Sequence, residues 1–394
     1  MELTKLQEKG LNIAIQRYKD KEKYTVISGY AGTGKSTLVK FIISALGQCG
    51  VNPEEDVCFC AYTGKATQVL AKKGNKNTLT LHKLLYDSFP RSDGTFFRKP
   101  KIDIGYHVIV VDEVSMAPKT LMDLLFSHGC YVICLGDPFQ LPPVDKDQDN
   151  GLLAHPHIFL DEIMRQAAES EIIQLTMKIR GGDPIPEFKG NEVQVLPQES
   201  LNTGMLLWAD QILCATNKTR ISLNNQTRAL LKRASSEPED GDKVICLRNY
   251  WGQLSTQEND LINGTIGYLK NTFSTFFKVP YYMGGDSIPI LNAEFIIDDE
   301  ESFSALDMDK TMLITGEPYL DNKRKYRLSK NPRTRELVPY EFTYGYAITT
   351  HKAQGSEWER VLVLEEGFPY VKKEHARWLY TAVSRSSEKC VLLR

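Results

Sequence analysis

The sequence predicts an α/β protein: two blocks of parallel sheet, a small hairpin excursion in the first, and a β-rich insertion in the second. Three observations carry this. Short apolar runs rich in Val, Ile and Cys alternate with longer helical patterns, at Tyr24–Ser28, Val57–Ala61, Val108–Val111 and Tyr131–Leu135. Their hydrophobicity is continuous rather than alternating, as strands covered on both faces require. The rhythm resumes at Gln211–Ala215, Thr343–Ile348, Val361–Leu364 and Cys390–Leu393, which gives the second block. Within the second block, residues 241–340 break into β-like segments separated by turns (GDKVICLRN, NGTIGYL, FSTFFKVPYYMGGD, NAEFIID).

The first strand leads into Gly29–Ser36, GYAGTGKS, and Leu38–Leu46 continues as an apolar helix. A glycine-rich turn between a strand and a helix N-terminus presents backbone N–H groups to phosphate oxygens. Lys35 can reach the outer phosphates of a nucleoside triphosphate, and the Ser36 hydroxyl can ligate Mg²⁺. Gly32, Thr33, Gly34 and Thr37 complete the expected ATP cradle.

The excursion is expected at residues 86–100, YDSFPRSDGTFFRKP, where Pro90 and a Ser-Asp-Gly turn interrupt the helical pattern. Ser235–Asp242, SSEPEDGD, reads as a solvated linker.

The strand Val108–Val111 ends in Asp112-Glu113. There Asp112 is placed to hold Mg²⁺ and Glu113 to polarise a water. The bland alternative is a solvated acidic turn. Gly136-Asp137-Pro138-Phe139-Gln140 follows the next strand, where open α/β sheets bind ligands. Gln140 offers both a donor and an acceptor toward a terminal phosphate or its water.

Bulk properties set bounds. A chain of 394 residues divides into two or more domains. Its net charge of −2 excludes general polyanion coating but not a local basic groove. The eight cysteines contain no C-x-x-C pair, so most are expected as reduced core residues rather than zinc ligands. MELTKLQEKG lacks a signal-peptide core, and a cytoplasmic setting, in a bacterial or phage-infected cell, is expected.

GYAGTGKST, VVDEVSM, GDPFQLPPV, THKAQGSEWE and YTAVSR occur in that order. Together they resemble superfamily 1 helicases, and among these the 1B group that holds RecD and Dda. The resemblance covers residues 10–170 and 340–394 well and the middle loosely.

It implies two RecA-like motor domains, 1–82 with 101–165 and 166–240 with 341–394. An 83–100 pin and an SH3-like accessory insertion at 241–340 complete the layout. It implies ATP and Mg²⁺, and catalytic roles for Lys35, Asp112, Glu113, Gln140, Arg165 and Arg385, the two arginines reaching the γ-phosphate. Gln7 matches an adenine-reading glutamine. Glu357 either meets the nucleotide or is a carboxylate at a helix N-terminus. Thr63, Lys65, His82, Thr350, His351, Lys352 and Gln354 match segments that touch single-stranded DNA. His82 is read as stacking on a base or as a structural hydrogen-bonder. Phe96 and Phe97 are read as a strand-separating wedge or as a small hairpin core.

The implied activity is ATP-driven 5′–3′ translocation and unwinding. Single-stranded and tailed duplex DNA are the expected partners, with replication, repair or recombination proteins beside them and the chain a monomer. An RNA-directed helicase and a P-loop nucleotide kinase are the alternatives.

Overall fold

The computed structural model describes residues 3–90, 96–142, 149–233, 237–250, 261–298 and 301–394. The chain forms two compact units. One comprises Met1–Tyr86, Pro100–Leu201 and Thr350–Arg394; the other comprises Asp87–Lys99 and Asn202–Thr349.

The first unit contains a six-stranded sheet, all parallel, in the order Thr78–Thr80, Val57–Ala61, Val108–Asp112, Tyr131–Gly136, Tyr24–Gly29 and Ile158–Leu160. Register puts Ser28 opposite Gly136 and Ala61 opposite Asp112. The phosphate loop, the acidic pair and the Gly136-Asp137-Pro138 turn therefore leave the sheet at one edge, its carboxyl edge. Side chains alternate between two apolar layers. Ile27, Val110 and Ile133 pack under the helices Lys5–Lys19 and Lys35–Gly47, while Val26, Val111 and Val132 pack beneath Lys119–Ser127.

The same unit holds a second parallel array, Trp358–Leu364, Ser386–Leu393 and Val193–Leu196, with Phe188–Lys189 added antiparallel. Both blocks expected from the apolar runs are thus present.

The second unit contains the parallel pair Gln211–Cys214 and Ala347–Thr349. It also holds a five-stranded antiparallel sheet, ordered Glu301–Asp309, Ser287–Asp298, Ile266–Lys278, Lys243–Cys246 and Phe342–Tyr344. This is the expected β-rich insertion, with two helices the sequence reading missed, Lys310–Thr315 and Asn322–Lys330. Tyr86–Pro90 and Phe96–Pro100 pair as the expected hairpin.

Two expectations are corrected. Thr343–Ile348 is not one strand: Phe342–Tyr344 joins the antiparallel sheet and Ala347–Thr349 the parallel pair. The break falls at Gly345, whose N–H donates to the Lys243 carbonyl at 2.8 Å. A Cβ there would lie 3.0 Å from the Val244 carbonyl carbon. Asp242 is not part of a solvated linker. It is fully buried, bonded by Arg228 Nε and Nη2 at 2.9 Å each and by the Tyr346 hydroxyl at 3.0 Å.

Seven of the eight cysteines are buried and Cys49 is exposed; all are free thiols. Among the described residues no helix is long and apolar enough to cross a membrane.

Candidate nucleotide site

The site lies within the first unit. The Tyr24–Gly29 strand ends against Leu160, where a Cβ on Gly29 would sit 2.8 Å from the Leu160 carbonyl oxygen. Gly32 and Gly34 adopt left-handed φ values of 76° and 79°, which L side chains resist. Gly34 caps the helix Lys35–Gly47 without a side-chain acceptor, leaving its first N–H groups for an anion. Ser36 and Thr37 occupy the first turn. Thr33 is buried and turns its hydroxyl inward to the Tyr30 carbonyl at 2.9 Å. Lys35 Nζ rests on the carbonyls of Gly29 (2.7 Å) and Tyr30 (2.9 Å). It therefore waits within the loop that a phosphate would occupy.

Gln7 is buried beneath this loop. The T-x-x-Q spacing makes it half of a capping box with Thr4, its Oε1 accepting from Thr4 N at 3.0 Å. Its Nε2 lies 3.4 Å from both the Thr33 and Gly34 carbonyl oxygens.

Asp112 and Glu113 follow the neighbouring strand. Burial, and then the charge of Glu113, raise the Asp112 carboxyl above the usual range. Glu113 has a left-handed φ of 50°, uncommon for a non-glycine residue and a form of strain often stored at functional sites. With the Gln140 amide oriented to satisfy both neighbours, its nitrogen donates to Glu113 Oε2 at 3.0 Å and its oxygen accepts from Arg385 Nη2 at 2.9 Å. Arg385 Nη1 lies 3.8 Å from Glu113 Oε1 and donates to the Ser356 carbonyl at 3.2 Å. Nε donates to the Thr381 carbonyl at 3.2 Å. The arginine is 6% exposed, so its orientation is imposed by the fold. Acid, amide and guanidinium form one chain of contacts at the carboxyl edge of the first sheet.

The sequence reading missed the group that holds this arrangement. Asp137 is 2% exposed, and burial raises its carboxyl. It accepts from the Tyr380 hydroxyl at 2.6 Å and from Phe139 N at 2.9 Å. The Tyr380 oxygen in turn accepts from Ala31 N, inside the phosphate loop, at 2.9 Å. Thr381 accepts from Leu141 N at 2.9 Å, and Gln354 donates to the Leu141 carbonyl at 2.7 Å. Arg180 stacks on the Tyr30 ring, 3.6 Å from its centroid. The turn GDP was available as a signal, since an acid after a buried strand seldom stays unpaired. Its partner lies 243 residues away and no local pattern announces it.

The remaining predicted residues fall as follows. Arg165 opens the short helix Arg165–Ala168; its side chain lies outside the described residues. Glu357 precedes the strand Trp358–Leu364, not a helix, which corrects the helix-terminus reading; its carboxylate lies 3.7 Å from Lys73 Nζ. Thr63 caps the helix Gly64–Lys72, which carries Lys65. His82 sits between Tyr62 and Tyr86, at centroid distances of 5.6 and 6.2 Å. Thr350 is buried, His351 is half-buried with its ring pushed toward the neutral form by burial, and Lys352 is exposed. Gly355 packs the 350–356 turn onto Thr63 and Ala66, where a Cβ would lie 2.9 Å from Ala66 Cβ. The two segments named for strand contact are thus adjacent. Phe96 and Phe97 lie on the hairpin; their side chains are outside the described residues.

A phosphate loop, an acidic pair and a buried arginine around one carboxyl edge define a nucleotide site of the P-loop class. Comparison narrows the class. An AAA domain profile matches residues 5–196, and a UvrD-like helicase C-terminal domain profile matches 344–393. The ATP-dependent RecD2 DNA helicase of Deinococcus radiodurans is 27% identical over 398 residues, covering 93% of this chain and 46% of that protein. The ATP-dependent DNA helicase dda of Enterobacteria phage T4 is 29% identical over 192 residues, covering 46% of this chain and 43% of that protein. The crystal structure of Pif1 helicase from Bacteroides in complex with ADP-AlF3 and ssDNA aligns at a TM-score of 0.51 and 18% identity, covering 100% of this chain and 92% of that one; it speaks to fold. The chain belongs to the superfamily 1B helicases, in the group that holds RecD, Dda and Pif1. It spans less than half the length of these two curated relatives.

Proposed function

We propose that the chain is an ATP-dependent DNA helicase that moves 5′–3′ along single-stranded DNA and unwinds duplex. The observation that carries this is the Glu113–Gln140–Arg385 contact chain beside the phosphate loop. Glu113 orients and polarises the attacking water, Gln140 ties that acid to the arginine, and Arg385 stabilises charge on the transferring phosphoryl. Lys35 leaves its two carbonyls for the outer phosphates. Gln7 lies at the edge where adenine would be read, and Arg165 is assigned to the γ-phosphate by its motif. Ser36 and Asp112 are hard oxygen donors suited to Mg²⁺, which would offset the negative charge of the phosphates.

The motor halves are assigned as 1–82 with 101–165 and 166–240 with 341–394, supported by the two parallel arrays. The 241–340 insertion is taken as SH3-like on its GDKVICLRN and NGTIGYL segments. Thr63, Lys65, His82, Thr350, His351, Lys352 and Gln354 are assigned to the single strand, supported by the packing of the 350–356 turn on Thr63. Nucleotide turnover that changes the grip on the strand converts hydrolysis into movement. Melting base pairs needs about 1.4 kcal/mol for each stacking step. The RecD2 and Dda relatives are ATP-dependent DNA helicases, which favours DNA over RNA here.

ATPase activity with and without single-stranded DNA, run beside strand displacement on duplexes with 5′ or 3′ tails, tests the proposal. Stimulation by single strands and unwinding from the 5′ tail are expected. ATPase activity indifferent to single strands, or unwinding from 3′ tails alone, overturns it.

A further inference from the structure

Residues 322–335, NKRKYRLSKNPRTR, contain seven Lys or Arg and no Asp or Glu, in a chain whose net charge is −2. The helix Asn322–Lys330 and the turn after it lie in the second unit. The structure separates the cations by use. Arg324 Nη2 donates to both Asp286 oxygens, at 2.6 and 2.7 Å, and buried Lys325 donates to Glu341 at 2.7 Å. Lys323, Arg327, Lys330 and Arg333 are exposed, and no ion pair engages them among the described residues. Asp321 caps the helix, accepting from Arg324 N at 2.8 Å; that bond, with the adjacent Lys323 charge, holds its carboxyl below the usual range.

Lys323, Tyr326, Arg327 and Lys330 fall at i, i+3, i+4 and i+7, one stripe about 10 Å long. Leu328 and Lys325 face inward. Tyr326 is 65% exposed, with Lys330 Nζ 5.3 Å from its ring centroid. The Asp286–Arg324 pair holds the Tyr281–Gly285 turn beside this helix: a Cβ on Gly284 would lie 3.6 Å from Arg324 Nη2. That turn presents Tyr281 and Tyr282, 95% and 66% exposed.

Exposed cations outside any ion pair, beside exposed aromatic rings, fit a phosphate backbone whose bases are open to stacking. A duplex satisfies the cations but offers the rings no base faces. We infer that the Lys323–Arg333 stripe and the Tyr281, Tyr282 and Tyr326 rings form an accessory binding surface for single-stranded nucleic acid, outside the motor contacts. The inference rests on the helicase reading for its biological meaning, but its test does not.

The variant Lys323→Gln/Arg327→Gln/Lys330→Gln/Arg333→Gln leaves the internally paired Arg324 and Lys325 in place. Its affinity for a long oligo-dT is measured by fluorescence anisotropy across a salt series. Single-strand binding loses about 0.7 in log-log slope per phosphate contact, so a flattening of about 2 to 3 is expected. Tyr281→Ala/Tyr282→Ala/Tyr326→Ala is expected to weaken binding roughly tenfold or more with little change in slope. An unchanged slope in the first variant, or unchanged affinity in the second, overturns the inference. Equal losses on a blunt duplex of the same length also overturn it, by making the surface a duplex contact. ATPase activity at saturating oligo-dT, expected to persist in both variants, reads the motor separately. Loss of stimulation in the parent protein would sink the helicase reading while the binding arms still decide this surface.

Discussion

Replacing Tyr380 with Phe removes one oxygen and two hydrogen bonds. The Asp137 carboxylate, 2% exposed, loses its 2.6 Å donor and keeps the one from Phe139 N; Ala31 N loses its 2.9 Å acceptor. A hydrogen bond to a buried charge contributes about 1.5–3 kcal/mol, and the bond lost by the half-buried Ala31 N–H about 0.5–1.5 kcal/mol. Tyr380→Phe should therefore destabilise the protein by about 3 kcal/mol. Burial already raises the Asp137 carboxyl, so its folded-state pKa lies above its unfolded value. It takes up its proton early as pH falls, and the penalty of the variant shrinks on the acid side. The assay is urea unfolding of wild type, Tyr380→Phe, Asp137→Ala and the double variant. The cycle should give a coupling energy of about 2 kcal/mol for the directly bonded pair. Additivity within about 0.5 kcal/mol would refute the clasp.

Two further outcomes are expected. Gly34→Ala places a Cβ 2.5 Å from Gln7 Nε2 at a φ of 79°. The left-handed strain alone costs about 1–2 kcal/mol, and nucleotide affinity measured by calorimetry should fall about tenfold or more; unchanged affinity would remove the loop geometry as a cause. Asp286 is held below the usual carboxylate range by the Arg324 hydrogen bonds. Its stabilisation is present above the unfolded pKa of about 3.9 and is lost as pH falls through the lower folded value. Asp286→Asn should cost about 1 kcal/mol at pH 7, after allowance for solvent screening of this partly exposed pair, with the gap to wild type closing toward pH 3. A gap independent of pH would show that the ion pair is not its source.

The buried parallel strands were legible because both of their faces need apolar side chains, as Val57–Ala61 and Tyr131–Gly136 show. The phosphate loop was legible because only glycine suits φ values near those of Gly32 and Gly34. The helix Asn322–Lys330 was not, since its buried positions are Lys325 and Leu328, which leave almost no apolar period to detect. Thr343–Ile348 misled for the opposite reason: its apolarity is real on both sides of Gly345, but two different sheets use it. The Asp137–Tyr380 clasp joins residues 243 apart, and long-range pairing of that kind leaves no trace in spacing.

The insertion enters at Asp242-Lys243 and leaves at Gly345-Tyr346, and the two points are stitched together. Gly345 N bonds the Lys243 carbonyl at 2.8 Å, and the Tyr346 hydroxyl bonds Asp242 at 3.0 Å. A loop whose two ends already touch can be lengthened or exchanged at little entropic cost to its host. The segment between is in this sense a cassette whose two ends are fastened to each other. Its length can therefore change with little strain at that junction.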